Sequence, residues 1–260
     1  HLNLRKRTLQ ERSVSDIMCT GGRRPVEGSG FSGPGRGRGT ARQQQRMAAP
    51  ERNIMAKLYF KYGAMGSSKT AQALITKYNY EENDLKVWLI KPSADMRDGE
   101  TILRSRIGLE ASVEIVAPSE DVYACFRDRQ LGHCDVIIVD ECQFLEPEQV
   151  DQLRAIVDDY NLPVMCFGLR TDFQCHLFAG SRRLMEVADS ILEIKTICDC
   201  GAKATVNARI DGEGHIVTQG QQLLLGGNDS YIAMCHKCYQ DYILQHRKVE
   251  LLHGSERDLT

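Results

Sequence analysis

Between residues 57 and 169, short apolar runs of strand length take turns with stretches of helical period, the pattern of parallel strands joined by helices. Lys57–Tyr62 predicts a strand, and Lys69–Tyr80 predicts a helix that opens at a Gly-rich turn. Leu85–Ile90 predicts a second strand, stopped by Pro92. Val113–Val116 predicts a short third, followed by a helix beginning near Ser119, where Ser and acidic residues suit a helix N-terminus. Val136–Val139 is continuous, apolar and rich in β-branched residues, the signature of a strand covered on both faces, which places it in the middle of the sheet. Pro147 opens the next helix, with Val150, Leu153, Ile156, Val157 and Tyr160 at helical spacing, and Val164–Leu169 returns as a strand. Residues 55–194 are thus expected to form an α/β domain: a mostly parallel sheet flanked by helices. After Lys195 the character changes to paired cysteines, Gly turns and short β-prone stretches, which predicts a small metal-stapled lobe over 195–244 and a flexible tail over 245–260.

The first 54 residues show no such period. Gly21–Gly39 is Gly/Arg-rich, and the whole segment reads as a disordered leader or as sequence upstream of the natural start, with Met47 and Met55 both placed as starts. An Arg-rich leader of this kind also fits a transit peptide or an RNA-contacting arm. It changes the charge picture. Eleven Lys/Arg against four Asp/Glu give residues 1–54 a surplus of seven, so the overall −2 leaves −9 for residues 55–260. An acidic body has little bulk attraction for a nucleic-acid backbone, and no nucleic-acid partner is expected. No apolar run approaches the roughly 20 residues that span a bilayer, so the expectation is a soluble, intracellular protein without a membrane partner. At 260 residues the chain can bury one α/β core plus an appendage.

Chemistry concentrates at two strand ends. A strand followed by Gly63-Ala-Met-Gly-Ser-Ser-Lys-Thr70 and then a helix is the context a P-loop needs: glycines let successive N–H groups turn inward on phosphate, and the helix N-terminus adds partial positive charge. Gly63, Ala64, Met65, Gly66, Ser67 and Ser68 supply the cradle, Lys69 bridges the outer phosphates, and Thr70 ligates Mg²⁺. Ser68 stands where the usual pattern has its second glycine. Asp140 and Glu141 end the buried strand, where ligands sit in open α/β sheets. Asp140 is placed to hold Mg²⁺, and Glu141 to orient an attacking hydroxyl and accept its proton as the catalytic base.

Ten cysteines in a chain of this kind fit reduced thiols. Cys198-Asp-Cys200 and Cys235-His-Lys-Cys238 lie some 35 residues apart and offer four thiolates for a closed, structural Zn²⁺ site, with His236 as an alternative ligand. The loop between the pairs, Leu223–Tyr231, would be anchored at its base and suited to closing over a ligand. Cys19, Cys125, Cys134, Cys142, Cys166 and Cys175 lack ligand spacing and read as buried thiols or bystanders.

Together these blocks resemble the type II thymidine kinases over about Met55 to Leu244. The resemblance rests on Gly63–Thr70, Ala94-Asp-Met-Arg97, Asp140-Glu-Cys-Gln-Phe144, Gly168-Leu-Arg-Thr-Asp-Phe-Gln174, Gly226-Gly-Asn-Asp-Ser-Tyr231 and the cysteine pairs. It implies a P-loop NTPase-like fold with a zinc-bound lasso domain, and transfer of the ATP γ-phosphate to the 5′-hydroxyl of thymidine or deoxyuridine with Mg²⁺, for nucleotide salvage. By the resemblance Ser68 is a family mark, Asp95 lies near Mg²⁺, Arg97 serves the phosphates, and Met65, Phe144, Leu169 and Phe173 surround thymine. Gly226 and Tyr231 fall in the lasso loop that recognises the base. A cytoplasmic homotetramer with feedback by thymidine triphosphate is implied as well. Two other readings compete. A P-loop switch or motor ATPase would use water as acceptor, but no Asn-Lys-x-Asp guanine motif is present. A zinc-ribbon RNA-binding module with a vestigial P-loop is opposed by Lys69, Thr70, Asp140, Glu141 and the acidic body.

Overall fold

The computed structural model describes residues 55–94, 101–129, 131–222 and 230–249. The expectations for residues 1–54 and 250–260 lie outside them. The body is built from β1 (Leu58–Tyr62), α1 (Lys69–Glu81), β2 (Val87–Pro92), a hairpin of β3 (Ile102–Arg104) and β4 (Glu110–Ser112), β5 (Glu114–Val116), α2 (Val122–Asp128), β6 (Val136–Val139), α3 (Pro147–Tyr160), β7 (Val164–Gly168), α4 (Ala179–Val187) and β8 (Ser190–Glu193). Six strands form one sheet in the order β5-β2-β6-β7-β1-β8, and every pairing in it is parallel. The predicted central strand β6 sits between β2 and β7, all four of its residues buried.

Period-two alternation decides which helix each strand residue meets. Leu58, Phe60, Ile90, Ile137 and Val139 point to one face, where Val122 and Phe126 of α2, Val150, Leu153, Ile156 and Val157 of α3 and Leu184 of α4 cover them. Leu89, Val136, Ile138 and Phe167 point to the other, under Ala73 and Leu74 of α1 and Leu103 of the hairpin. Each fully buried large aliphatic side chain contributes roughly 1.5–3 kcal/mol, so the two faces together hold the sheet.

Several boundaries differ from the sequence expectation for identifiable reasons. The second strand runs through Pro92 instead of stopping before it: Pro92 is its last residue, paired with Val116, and lies past the end of the β2–β6 ladder at Ile90, so no bond to β6 is lost with its N–H. The second helix starts at Val122, since Asp121 caps it by accepting the Ala124 N–H at 2.9 Å. The β3–β4 hairpin, α4 and β8 carry short or mixed patterns that periodicity does not reveal.

Residues 196–249 form the smaller lobe: β9 (Thr196–Ile197) pairs with β10 (Lys203–Ala204), β11 (Val206–Ile210) with β12 (Ser230–Met234), both antiparallel, and α5 (His236–Leu244) follows. Its core is Ala204, Val206, Ala208, Ile210, Met234 and Tyr239 beside Cys198 and Cys235. Residues 245–249, expected in the tail, continue the lobe: Val249 is buried, and its N–H donates to Gly214 O at 2.8 Å. No helix among the described residues is long and apolar enough to cross a membrane.

Candidate active site

The turn after β1 places residues 63–70 at the carboxyl end of the sheet, as the sequence predicts. Gly66 and Ser68 both hold positive φ, +73° and 61°. The left-handed conformation at Ser68 explains why glycine is usual there and why a small polar residue is the tolerated substitute. A Cβ on Gly63 would lie 2.4 Å from Ile194 O and from the Ser67 hydroxyl, so the loop can pass only where that residue has no side chain. Ser68 makes no side-chain cap on α1, so its hydroxyl does not occupy the first-turn N–H groups.

Lys69 is buried in this turn and donates to Ala64 O at 2.9 Å and toward Ser67 Oγ at 3.4 Å. Burial lowers its amine pKa, and the carboxylates of Glu141 and Asp140 oppose that shift. The Thr70 hydroxyl donates to Asp140 Oδ2 at 2.8 Å. This bond joins the phosphate loop to the end of β6 across the intervening β7, uniting two motifs 70 residues apart. Burial pushes the Asp140 carboxyl up to about 7, the charge of Glu141 adds to it, and the Thr70 hydroxyl pulls the other way. A pair of oxygens from a hydroxyl and a buried carboxyl suits a hard cation such as Mg²⁺.

Glu141 follows in the left-handed region, φ 50° and ψ 36°, at the head of a 3₁₀ turn over Cys142–Phe144. Gln143, which is buried, holds it in place. Its Nε2 donates to Glu141 Oε2 at 2.6 Å, and its Oε1 accepts the Leu169 N–H at 2.9 Å. Gly168 makes this contact feasible, since a Cβ there would lie 2.5 Å from Gln143 Oε1 and 2.7 Å from Cys142 Sγ. Gln143 lies within the Asp140–Phe144 block without an expected role of its own; a polar side chain inside an otherwise apolar turn is the signal that marks it.

The residues expected around the base divide. Phe144 is half-buried and stacks edge-on against Phe178, with centroids 5.6 Å apart; Leu169, also half-buried, is tied to the turn through Gln143. Met65 lies in the phosphate loop and is half-buried. Phe173 is buried: the Arg209 guanidinium lies 5.1 Å from its ring centre, and Tyr239 Oη donates to its carbonyl at 3.2 Å. Tyr231 pairs with Arg209 in the β11–β12 ladder, so lobe and body meet beside Phe173. Asp95, Arg97 and Gly226 lie outside the described residues. Two contributors were not foreseen. Asp172, buried, accepts from Gln222 Nε2 at 2.9 Å at the root of the expected loop, and Asn207 reaches the phosphate loop itself.

At the far side of the lobe Cys198, Cys200, Cys235 and Cys238 bring their sulfurs within 4.8 Å of one another. Cys200 Sγ and Cys235 Sγ lie 3.7 Å apart, against about 3.8 Å for thiolates on a tetrahedral ion with metal–sulfur bonds of about 2.3 Å. The cluster could therefore hold a metal ion such as zinc. His236 is exposed and outside the cluster, its ring toward Tyr239. Cys235 caps α5, and the Cys238 N–H is the main influence drawing its thiol down to about 7, toward the thiolate a metal requires. Of the other cysteines described, Cys134, Cys142 and Cys166 are buried, Cys125 half-buried and Cys175 exposed.

Comparison with known proteins bears on the same residues. The family model described as thymidine kinase matches residues 56–239. A thymidine kinase of Shewanella oneidensis is 43% identical over 190 residues, covering 73% of this chain and 99% of that protein. One of Ruegeria pomeroyi is 44% identical over 188 residues, 72% of this chain and 95% of its own length. One of Coxiella burnetii is 42% identical over 188 residues, with 72% and 96% covered. The family match spans both the Gly63–Thr70 loop and all four clustered cysteines, and the relatives are covered over nearly their whole length. The chain belongs to the thymidine kinase family.

Proposed function

We propose that this protein transfers the γ-phosphate of ATP to the 5′-hydroxyl of thymidine or deoxyuridine, yielding ADP and the nucleoside monophosphate for DNA precursor salvage. The observation that carries the reading is the Thr70–Asp140 hydrogen bond, which fixes a phosphate loop against an acidic strand end whose next residue, Glu141, is held by Gln143. In the proposed reaction residues 63–70 seat the triphosphate, and Lys69 turns its ammonium from Ala64 O to the outer phosphates. Thr70 and Asp140, with Asp95, would hold Mg²⁺, which would supply positive charge to offset that of the phosphates. Glu141 accepts the proton of the 5′-hydroxyl as its oxygen bonds to the γ-phosphorus, and the bond from that phosphorus to the bridging oxygen breaks, releasing ADP. Arg97 and Lys69 stabilise the transferring group.

Met65, Phe144, Leu169, Phe173, Gly226 and Tyr231 form the acceptor side of the proposed site. Cys198, Cys200, Cys235 and Cys238 would hold Zn²⁺, which would staple the lobe. A cytoplasmic homotetramer regulated by thymidine triphosphate accompanies this reading. The deciding measurement is ADP release across the natural nucleosides. Release stimulated by thymidine and deoxyuridine supports the proposal, whereas hydrolysis indifferent to any nucleoside would identify a water-using ATPase. Glu141→Gln is expected to lose at least about 100-fold in turnover while retaining ATP binding; near-normal turnover removes Glu141 from the base role.

A further inference from the structure

Strand β11 is buried along its whole length, yet its sequence Val206-Asn-Ala-Arg-Ile210 alternates apolar and polar. Val206, Ala208 and Ile210 enter the lobe core, and the period of two sends Asn207 and Arg209 to the opposite face, toward the body. Arg209 covers Phe173. Asn207, 3% exposed, makes two hydrogen bonds to backbone. Its Oδ1 accepts the Met65 N–H at 2.7 Å, and its Nδ2 donates to Thr171 O at 2.9 Å. One planar amide thus clamps the phosphate loop on one side and the segment between Leu169 and Phe173 on the other, a pairing for which a carboxamide is suited because it offers an acceptor and a donor at a fixed separation.

We infer that Asn207 is a positioning residue for triphosphate binding: the metal-stapled lobe, through this side chain, sets the direction of the Met65 amide and with it the shape of the loop from Gly63 to Gly66. The Met65 N–H, expected in the phosphate cradle, is committed to Asn207 instead; what the clamp fixes is the course of the loop, on which the direction of its other N–H groups depends. Within the turn the Ala64 carbonyl is held by the Ser67 N–H and by Lys69, and the Gly63 N–H by Gly168 O, whereas the Met65 N–H takes its partner from the lobe. Both partners are main-chain groups, so no substitution at Met65 or Thr171 bypasses the clamp, and a seat for ATP becomes conditional on the lobe being docked.

This inference rests on the ATP-dependent reading above, and its test separates the two. Titration of the full chain with ATP and Mg²⁺ in the absence of nucleoside, and with thymidine alone, is carried out for the wild type, Asn207→Ala and Asn207→Leu, the last retaining the volume. Thermal unfolding and bound zinc are followed alongside. Each variant is expected to keep its metal and its fold and to bind ATP about fivefold or more weakly, with a smaller change for thymidine. A folded variant that binds ATP as the wild type does overturns the role of Asn207, as does an equal loss of both ligands, which marks general loosening. Failure of the wild type to bind ATP overturns the functional reading instead. Hydrogen exchange of the wild-type Met65 amide needs no variant: slow exchange before nucleotide is added is expected, and exchange at the rate of a solvent-exposed amide overturns the clamp.

Discussion

Ser68 and Glu141 are non-glycine residues in the left-handed region, one beginning α1 and the other following β6. Each such conformation costs of order 1–3 kcal/mol and persists where its surroundings over-determine it. At Glu141 those surroundings are the Gln143 amide and the turn that Gly168 allows to approach. Gln143→Ala is therefore expected to leave the fold intact but lower kcat by about tenfold or more, with a lesser effect on the KM for ATP, read from steady-state kinetics. Asp140 carries a different tension. Burial and the neighbouring Glu141 raise its pKa to about 7, so the carboxylate form is held against its environment. Asp140→Asn removes that burden and keeps an acceptor for the Thr70 hydroxyl. The variant is expected to unfold at a higher temperature than wild type at pH 8 while losing about 100-fold or more in turnover. An unchanged or lower unfolding temperature would show that the carboxylate is well compensated by its partners.

Among the elements, β8 is preceded by a polar latch. Asp189, just before it, accepts the Leu58 N–H at 2.8 Å and pairs with Arg154 of α3, tying the start of β1 to the helix layer. Burial by itself would raise the Asp189 carboxyl, but the Leu58 N–H and the Arg154 guanidinium outweigh it and hold the group below the usual carboxylate range. A depressed folded-state pKa contributes stability above the unfolded value, near 3.9 for Asp, and that contribution is lost as pH falls through the folded value. Asp189→Asn should flatten the acid limb of the stability–pH curve below about pH 4 and cost about 1 kcal/mol or less at neutral pH, because the exposed ion pair is screened by solvent. Urea unfolding at several pH values measures both. Helix α3 was legible because it buries one apolar face along much of its length, and α1 because the Gly-rich turn marks its start. α4 was not, since it is only nine residues long and buries just Gly180, Ser181 and Leu184, too short a run to stand out from its surroundings.

At the scale of the whole molecule, the body and the lobe meet through polar side chains on backbone: Asn207 on Met65 and Thr171, Tyr239 on Phe173, and Gln174 on Thr218 O. Such bonds require the lobe to hold its own shape, which the cysteine cluster is positioned to impose. Removing the metal with a chelator is expected to lower the unfolding temperature and to weaken binding of both thymidine and ATP, with recovery on adding Zn²⁺. Cys200→Ser should reproduce the loss, while Cys175→Ser, exposed and outside the cluster, should not. Metal analysis giving about one ion per chain, absent in Cys200→Ser, is the companion measurement.

Local chemistry in the sequence determined the phosphate loop, the acidic end of a doubly covered strand, the parallel α/β body and the four candidate thiolates. Each depends on residues close together in the chain or on a short-range period, so each survives without knowledge of the fold. Only the tertiary structure decided which of them meet. The Thr70–Asp140 bond spans 70 positions, and the Met65–Asn207 bond spans 142. Strand order brings β6 within reach of the turn after β1, and the face chosen by β11 aims Asn207 at the loop. Phe173, expected at the base, is buried under Arg209 because the lobe docks there. Such distant pairings follow from how strands are ordered and faces are buried, and those choices are made by the packing of the entire chain, beyond the reach of any local pattern.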